Sequence, residues 1–329
     1  MTRANLAGLM LALLALAAPL ALPWLKTPVV IAASFGVAAL GVSILIRAGQ
    51  LSFGHAMYSC AAGYVAAFLA RAVPQLDSAV LLLAGTLCGA LMGMLIGLFV
   101  VRYRAIFFGM LNLALSMVLF SILGKFYNWT GGTDGIRLAR STFFGLQLDR
   151  DGFETGLLIV SVLLSVIVAL LVQRYQQSIA GQALAAVKTN ETRLEYIGLS
   201  ANRALWIGYV FSAALCGLSG AMFALMQGLV TPEMGYWVRS GEIVFISILG
   251  GVGHPVGAFL GAVVFEFVKL YSAALFTGAW QMVLGLVLIG LVFFIPGGLS
   301  GLLFRKARPV PVSADKADAS PAVIKELRP

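Results

Sequence analysis

Long apolar runs recur along almost the whole chain, and charged residues between them are rare. Of the 329 residues, 60% are hydrophobic and only 11% are charged. In a soluble domain about a quarter of all residues are normally charged, so this composition excludes a soluble globular protein. A helix that crosses a bilayer needs ~20 mostly apolar residues. The chain is therefore predicted to be an all-α polytopic membrane protein.

The apolar runs predict about ten transmembrane helices, with nine as the lower count. The first seven are expected at residues 5–22, 28–46, 51–70, 79–101, 105–123, 156–172 and 204–227, the first of them retained rather than cleaved. The remaining run, 242–303, is interrupted at a GGVGHP sequence and near Thr277, so it holds two or three crossings. A broken helix is expected near 242–256, because the glycines free the backbone and Pro255 suits the first turn of the next helix.

The distribution of Lys and Arg predicts the orientation of these helices. Connections that are cytoplasmic when the N-terminus is inside carry more basic residues than the opposite ones, so both termini are expected in the cytoplasm. Within a transmembrane domain of residues 1–304, the polar stretch 124–155 is then extracytoplasmic and 178–200 is cytoplasmic. Residues 305–329 are expected to form a disordered cytoplasmic tail that contacts anionic lipid. The net charge of +9 is thus an orientation signal and does not indicate nucleic-acid binding.

Small residues spaced four apart recur within the predicted helices. They are Gly89, Gly93 and Gly97, then Ala213, Gly217 and Ala221, and finally Gly257 with Gly261. Such stripes allow helix backbones to approach closely in a membrane. They predict a tightly packed bundle.

The polar segment between the sixth and seventh spans has the pattern of a short helix. Asn190 suits the N-cap of this helix, Glu191 suits its first turn, and Gly198 suits a left-handed stop. Leu194 and Ile197 are expected to share its apolar face. A helix that rests on lipid usually has a wider apolar face, so we expect this one to bind a cytoplasmic protein.

Polar residues and glycines inside the apolar sequence are the candidates for a translocation pathway. We assign His55, Asn112, Ser116, Glu242, Gly251 and His254 to this set. A structural alternative stays open for these residues. His55 would then donate to a backbone carbonyl, Glu242 would pair with Arg239, and the glycines would serve packing.

Catalysis and metal binding lack the residues they require. The cysteines, Cys60, Cys88 and Cys216, show no CxxC spacing, and the histidines are His55 and His254 alone. The sequence holds neither a GxSxG nor an HExxH motif, so we expect no enzyme, metal or cofactor. A GxxxxGK[ST] phosphate loop is also missing, so any ATP chemistry has to come from a partner.

Three motifs carry a resemblance to a known family. They are QLSFGHAMYSCAAGYVAAFLA from Gln50, NWTGGTDGI from Asn128 and EIVFISILGGVGHPVGAFLGA from Glu242. In this order they resemble the LivM-type permease subunits of branched-chain amino acid ABC importers, and the likeness covers roughly residues 28–303. The segment before Arg203 looks like the cytoplasmic coupling loop of such permeases, with Gly-Leu-Ser-Ala in place of the EAA-type ending with a proline.

The resemblance implies a transport subunit in a bacterial inner membrane. Its implied partners are a homologous permease, two cytoplasmic ATPases and an extracytoplasmic solute-binding protein. Residues that the resemblance assigns to ATPase coupling are Lys188, Thr189, Asn190, Glu191, Arg193 and Gly198. The implied cargo is a branched-chain or other hydrophobic amino acid. Urea, short amides and aromatic acids remain open as cargo, and an ion-coupled secondary transporter or channel is the alternative from another class.

Overall fold

The computed structural model describes residues 3–73, 75–143, 145–275, 279–294 and 297–303. Within these ranges the chain is almost entirely helical, which confirms the all-α prediction. The helices are α1 Arg3–Ala21, α2 Lys26–Arg47, α3 Ala56–Ala72, α4 Ser78–Val100, α5 Ala105–Lys125, α6 Tyr127–Thr130, α7 Arg150–Gln177, α8 Ile179–Thr189, α9 Glu191–Tyr196, α10 Ala201–Gln227, α11 Trp237–Gly250, α12 Pro255–Leu275, α13 Trp280–Phe294 and α14 Gly298–Leu303. A short antiparallel ribbon pairs β1, Ile136–Arg137, with β2, Leu229–Val230.

By length and composition, six helices of the described ranges can cross a membrane: α2, α4, α5, α7, α10 and α12. The apolar part of α1, Ala7–Ala21, is shorter, and α3, α11 and α13 have 17, 14 and 15 residues. The structure therefore supports a polytopic membrane protein. The total of about ten spans stays a prediction.

Helices α2 and α10 form the core of the bundle. In their most apolar stretches 94% and 72% of the residues are buried, against 22–28% in the other four long helices. Small residues allow α10 to pack closely on α2, α3 and α4, and this packing buries both core helices. The exposed faces of α4 and α5 instead carry large apolar side chains such as Leu95, Ile106 and Phe107, which suits contact with lipid or another protein.

The predicted small-residue stripes lie where helices meet. A Cβ atom on Gly217 of α10 would lie 2.9 Å from the Gly89 Cα of α4, and one on Gly261 would lie 2.6 Å from the Ile246 carbonyl oxygen. Real Cβ atoms do not approach other atoms this closely. Glycine is therefore required by space at these crossings, and the prediction of tight packing is confirmed.

The interruption at GGVGHP is the turn of a helical hairpin. Gly250 lies against Gly257, and a Cβ on Gly261 would reach the Gly250 backbone nitrogen at 2.8 Å. Further from the turn, Glu242 lies against Lys269, so α11 and α12 run antiparallel. The expected broken helix near 242–256 therefore needs correction: the first helix already begins at Trp237, and the second begins at Pro255 as predicted.

The polar connection after α5 is shorter than the predicted 124–155, because α7 already begins at Arg150. Two ion pairs explain this early start. Arg150 Nε lies 2.9 Å from Glu154 Oε1 one turn later, and Lys26 Nζ of α2 lies 2.6 Å from Asp151 Oδ1. The predicted tail 305–329 and the interruption at Thr277 lie outside the described residues.

The crossing of α4 and α10 makes a first testable prediction. Replacing Gly217→Ala forces a methyl group into the Gly89 backbone, and overpacking of this kind costs roughly 1–3 kcal/mol. We expect a lower thermal unfolding midpoint in detergent. Size-exclusion chromatography of heated samples measures this midpoint. Gly124→Ala is the matched control, because a Cβ there meets no atom of the described residues within 4 Å. An unchanged midpoint for Gly217→Ala would contradict the packing described here.

Candidate functional site

Two short helices, α8 and α9, form the polar segment that precedes α10. The Ser178 hydroxyl caps α8 by accepting from the Gly181 N–H at 3.3 Å. Asn190 caps α9 as predicted, because its Oδ1 accepts from the Arg193 N–H at 3.0 Å. The chain leaves α9 through Gly198, whose φ of +81° is the left-handed conformation that favours glycine. The sequence pattern thus predicts α9 correctly, whereas α8 is an addition.

Arg104 holds α9 against the bundle. It lies in the turn between α4 and α5, where Nε donates to Glu191 Oε1 at 2.6 Å and Nη2 donates to Glu191 Oε2 at 3.3 Å. The same Nη2 donates to Asn202 Oδ1 of α10 at 2.7 Å. Sequence reading misses this contact, because Arg104 and Glu191 lie 87 residues apart. Glu191 is therefore bound within this chain, and α9 is tied to three long helices.

The side of α9 that points away from the bundle carries two large exposed side chains. Leu194 anchors the helix and is only 3% exposed, whereas Tyr196 is 87% and Ile197 is 71% exposed. The expectation that Leu194 and Ile197 share a face is wrong, because Ile197 follows the last helical residue and no longer obeys the helical period. Of the predicted coupling residues, Glu191 is half-buried, and the exposed ones are Lys188, Thr189, Asn190, Arg193 and Gly198.

The structure brings His55 and Asn112 together through two tyrosines. His55 is fully buried, its Nδ1 lies 2.5 Å from Ser52 Oγ, and its ring packs edge-on against Tyr58 and Tyr209. The Tyr58 hydroxyl donates to the Tyr209 hydroxyl at 2.7 Å, and Tyr209 donates to Asn112 Oδ1. This buried polar chain joins α3, α10 and α5. Sequence reading does not predict the contact of the two tyrosines, because they lie 151 residues apart.

Ser116 serves a separate contact. It is buried, and its hydroxyl donates to the Gly235 carbonyl oxygen at 2.7 Å. Gly235 ends the 3-10 turn Pro232–Gly235 that precedes α11. Ser116 therefore fastens α5 to the entry of α11.

Glu242 lies in an ion-pair cluster at the start of α11. Its Oε2 is 2.8 Å from Arg239 Nη1, and its Oε1 is 3.2 Å from Lys269 Nζ of α12. The predicted pair of Glu242 with Arg239 is confirmed, and Lys269 extends it. The Arg239 guanidinium also lies 5.3 Å from the ring centres of Phe35 and Phe223.

Gly251 and His254 occupy the turn between α11 and α12. A Cβ on Gly251 would lie 2.6 Å from the Gly297 carbonyl oxygen, and its φ is +84°, so no other residue fits without strain. His254 Nδ1 accepts from the Val256 N–H at 3.3 Å. The His254 ring also lines a mainly apolar cavity of about 230 Å³ between α1, α2, α7 and α12. The pathway roles of the six predicted residues stay predictions.

The NWTGGTDGI motif forms a compact loop above the end of α5. The Thr130 hydroxyl donates to the Leu123 carbonyl oxygen at 2.6 Å, and the loop continues into β1, which pairs with β2 after α10. The Tyr127 hydroxyl donates to Asp134 Oδ2 at 2.8 Å. This hydrogen bond raises the pKa of Tyr127, since it favours the neutral phenol. The motif therefore ties the ends of α5 and α10 together.

Comparison with known proteins gives this architecture a family. The sequence model described as "Branched-chain amino acid transport system / permease component" matches residues 25–292. The chain belongs to this family. The match includes the core helices α2 and α10, the polar segment with α8 and α9, and the hairpin of α11 and α12.

Individual members of the permease family resemble the chain at modest identity. LivM, the high-affinity branched-chain amino acid transport system permease protein of Salmonella typhimurium, is 27% identical over 68% of this chain and 58% of its own length. A probable LivH permease of Methanocaldococcus jannaschii is 24% identical over 82% of this chain and 89% of its own length. The autoinducer 2 import permease LsrC of an Enterobacter species is 29% identical over 40% of each chain.

The chain spans 58% of the length of the LivM proteins of Salmonella typhimurium and Escherichia coli. No solved structure gives a significant match.

The anchoring of α9 makes the second prediction. Glu191→Gln removes the charge that Arg104 contacts, and a partly exposed ion pair contributes roughly 0.5–1 kcal/mol. We expect amide hydrogen exchange in residues 191–199 to become about two- to fivefold faster, while global stability stays the same. Glu195→Gln is the matched control on the same helix, because Glu195 is exposed and forms no ion pair in the described ranges. Wild-type exchange in Glu191→Gln would show that the pair does not hold α9.

Proposed function

We propose that this chain is the membrane-spanning permease subunit of a bacterial ABC importer. It forms the translocation path with a homologous permease, is driven by two cytoplasmic ATPases, docks in a cleft of the ATPase through α9, and receives cargo from an extracytoplasmic solute-binding protein. Membership of the permease family supports this assignment. The named relatives are permease proteins, which supports a transport subunit without a nucleotide-binding site of its own.

The observation that carries the proposal is the surface of α9. This helix is polar, yet it presents Tyr196 and Ile197 outward. Neighbouring exposed apolar side chains at the end of an otherwise polar helix suit a contact with a partner better than free solvent. Leu194 and the Arg104–Glu191 pair fix α9 to the bundle, so a partner that moves α9 also moves the ends of α4, α5 and α10. This arrangement suits the transmission of ATPase closure to the membrane helices.

The proposed cargo is a branched-chain or other hydrophobic amino acid. The names of the LivM and LivH relatives support this class. The similarity to LsrC, a permease named for autoinducer 2 import, favours a test that also includes polar cargo. Urea, short amides and aromatic acids are therefore retained as alternatives.

The proposed location is the inner membrane, with both termini in the cytoplasm. The excess of Lys and Arg on one set of connections supports this orientation. In this arrangement α8 and α9 face the cytoplasm, and the NWTGGTDGI loop faces the solute-binding protein.

Purification of the tagged chain from its native membranes in mild detergent tests the partners and the cargo. We expect mass spectrometry to identify a homologous permease, ABC ATPases and a solute-binding protein. Calorimetry on the soluble binding protein should then detect leucine, isoleucine or valine rather than urea, acetamide or phenylacetate. Uptake by the chain alone, driven by an ion gradient, would contradict the importer assignment.

A reporter cysteine tests docking and orientation together. In a chain whose three native cysteines are replaced by alanine, Ile197→Cys should react with a membrane-impermeant maleimide in inside-out vesicles only. Bound ATPases should block this reaction. Leu146→Cys, which replaces an exposed residue of the opposite loop, is the control and should react in right-side-out vesicles only. Equal labelling of Ile197→Cys with and without the ATPases would contradict docking at α9.

A further inference from the structure

Four charged side chains and three phenylalanines meet where α2, α10, α11 and α12 come together. Glu242 bridges Arg239 and Lys269 at 2.8 and 3.2 Å. Phe35 lies between the two cations, 5.3 Å from the Arg239 guanidinium and 6.0 Å from Lys269 Nζ. Phe223 lies on the Arg239 side, and Phe265 lies on the Lys269 side. We call these residues, together with Glu266, which precedes Lys269 by three positions on α12, the charged cage.

The charged cage is only partly saturated. Arg239 uses one N–H for Glu242, and no other acceptor bonds its guanidinium within the described ranges. A guanidinium has five N–H donors and can hold a second carboxylate. Glu266 Oε2 is buried and has no hydrogen-bond partner among the described residues. The cage therefore has capacity for one more anion at Arg239 and one more cation at Glu266.

A small cavity opens directly against Arg239. It measures about 30 Å³ and is lined by Phe35, Phe223 and the serines Ser34, Ser59 and Ser219, among others. This volume holds about one water molecule, so an amino acid cannot enter it in the present conformation. Its boundary includes Arg239 and Ile243 of α11, so movement of the hairpin away from α2 and α10 enlarges it.

The charges of the cage match a zwitterion. Two cations and two carboxylates leave the cage neutral, and a ligand with one ammonium and one carboxylate keeps it neutral. A ligand with a single charge leaves an uncompensated charge among groups that are buried or only partly exposed, which is costly. The phenylalanine rings offer an apolar wall for the rest of the ligand.

We propose that the charged cage is a transient binding site for the cargo, in which Arg239 takes the α-carboxylate and Glu266 takes the α-ammonium group. The inference rests on the proposed amino-acid cargo and deepens it. Glu242 keeps one N–H of Arg239, since both residues lie on α11, and movement of the hairpin opens space at the other N–H groups of the guanidinium. Phe35, Phe223 and Phe265 contact the apolar side chain of the cargo. The ligand class is a small zwitterionic α-amino acid with an apolar side chain.

Leucine uptake by the complete complex tests the proposal. The complex of this chain, its permease partner, the ATPases and the binding protein is reconstituted in proteoliposomes, and uptake is measured against the concentration of leucine-loaded binding protein. We expect Arg239→Gln to lower the maximal rate at least tenfold while the half-saturating concentration changes less than twofold. Arg239→Lys should restore part of the rate. Arg102→Gln, which removes an exposed arginine, should behave like wild type.

The double variant Arg239→Gln/Glu242→Gln separates binding from charge balance. If Arg239 only neutralises Glu242, removing both charges should restore uptake. If Arg239 holds the cargo carboxylate, the double variant should stay as slow as Arg239→Gln. Recovery to more than half of the wild-type rate, or wild-type uptake by Arg239→Gln, would overturn the proposal.

Glu266→Gln covers the case in which the Arg239 variants do not assemble. It changes a carboxylate oxygen that has no hydrogen-bond partner among the described residues, so the complex should assemble normally. We expect at least fivefold slower leucine uptake, and wild-type uptake would overturn the site. If the wild-type complex imports no amino acid, the proposed function fails. If the wild-type complex imports leucine, and Arg239→Gln, the double variant and Glu266→Gln import it at the wild-type rate, only the proposed site fails.

Discussion

The close approach of α10 to α2 and α4 is the constraint on which the other contacts depend. Lipid is as apolar as the side chains it surrounds, so helices in a bilayer associate through packing and hydrogen bonds rather than through exclusion of water. Gly89 and Gly217 leave room for the close crossing of α4 and α10, and Gly41 leaves room for that of α2 and α10. With α10 fixed in the centre, Tyr209 can reach both α3 and α5.

The few charged side chains connect parts of the chain that are far apart in sequence. Lys26 joins the start of α2 to the start of α7, and Arg104 joins the α4–α5 turn to α9 and α10. Arg239, Glu242 and Lys269 join the two arms of the hairpin. Loss of Lys26 leaves only the exposed Asp151 without its partner, whereas loss of Arg239 or Lys269 leaves the buried Glu242 with one of its two partners. The charged side chains thus link distant segments of the chain, in addition to predicting its orientation in the membrane.

The accuracy of the sequence predictions follows the range of the interactions involved. The cap at Asn190, the stop at Gly198 and the helix start at Pro255 depend on neighbouring residues, and all were predictable. The spacing of small residues likewise predicts where backbones approach. Arg104 with Glu191 and Tyr58 with Tyr209 are pairings across 87 and 151 residues, and no local pattern contains them. The antiparallel arrangement of α11 and α12 was also not predicted, because glycines that interrupt a helix are compatible with both a kink and a hairpin.

The hydrogen bonds among Tyr58, Tyr209 and Asn112 have a direction that a single backbone carbonyl sets. Asn112 Nδ2 donates to the Phe108 carbonyl oxygen at 2.8 Å, so its Oδ1 is the group that accepts. Tyr209 must then donate to Asn112, and Tyr58 must donate to Tyr209. Rotation of α5 about its axis would break this chain at its acceptor end and leave polar groups unpaired in a fully buried place. This network therefore resists even a small rotation of α5, because the Tyr209 hydroxyl would lose its acceptor on Asn112.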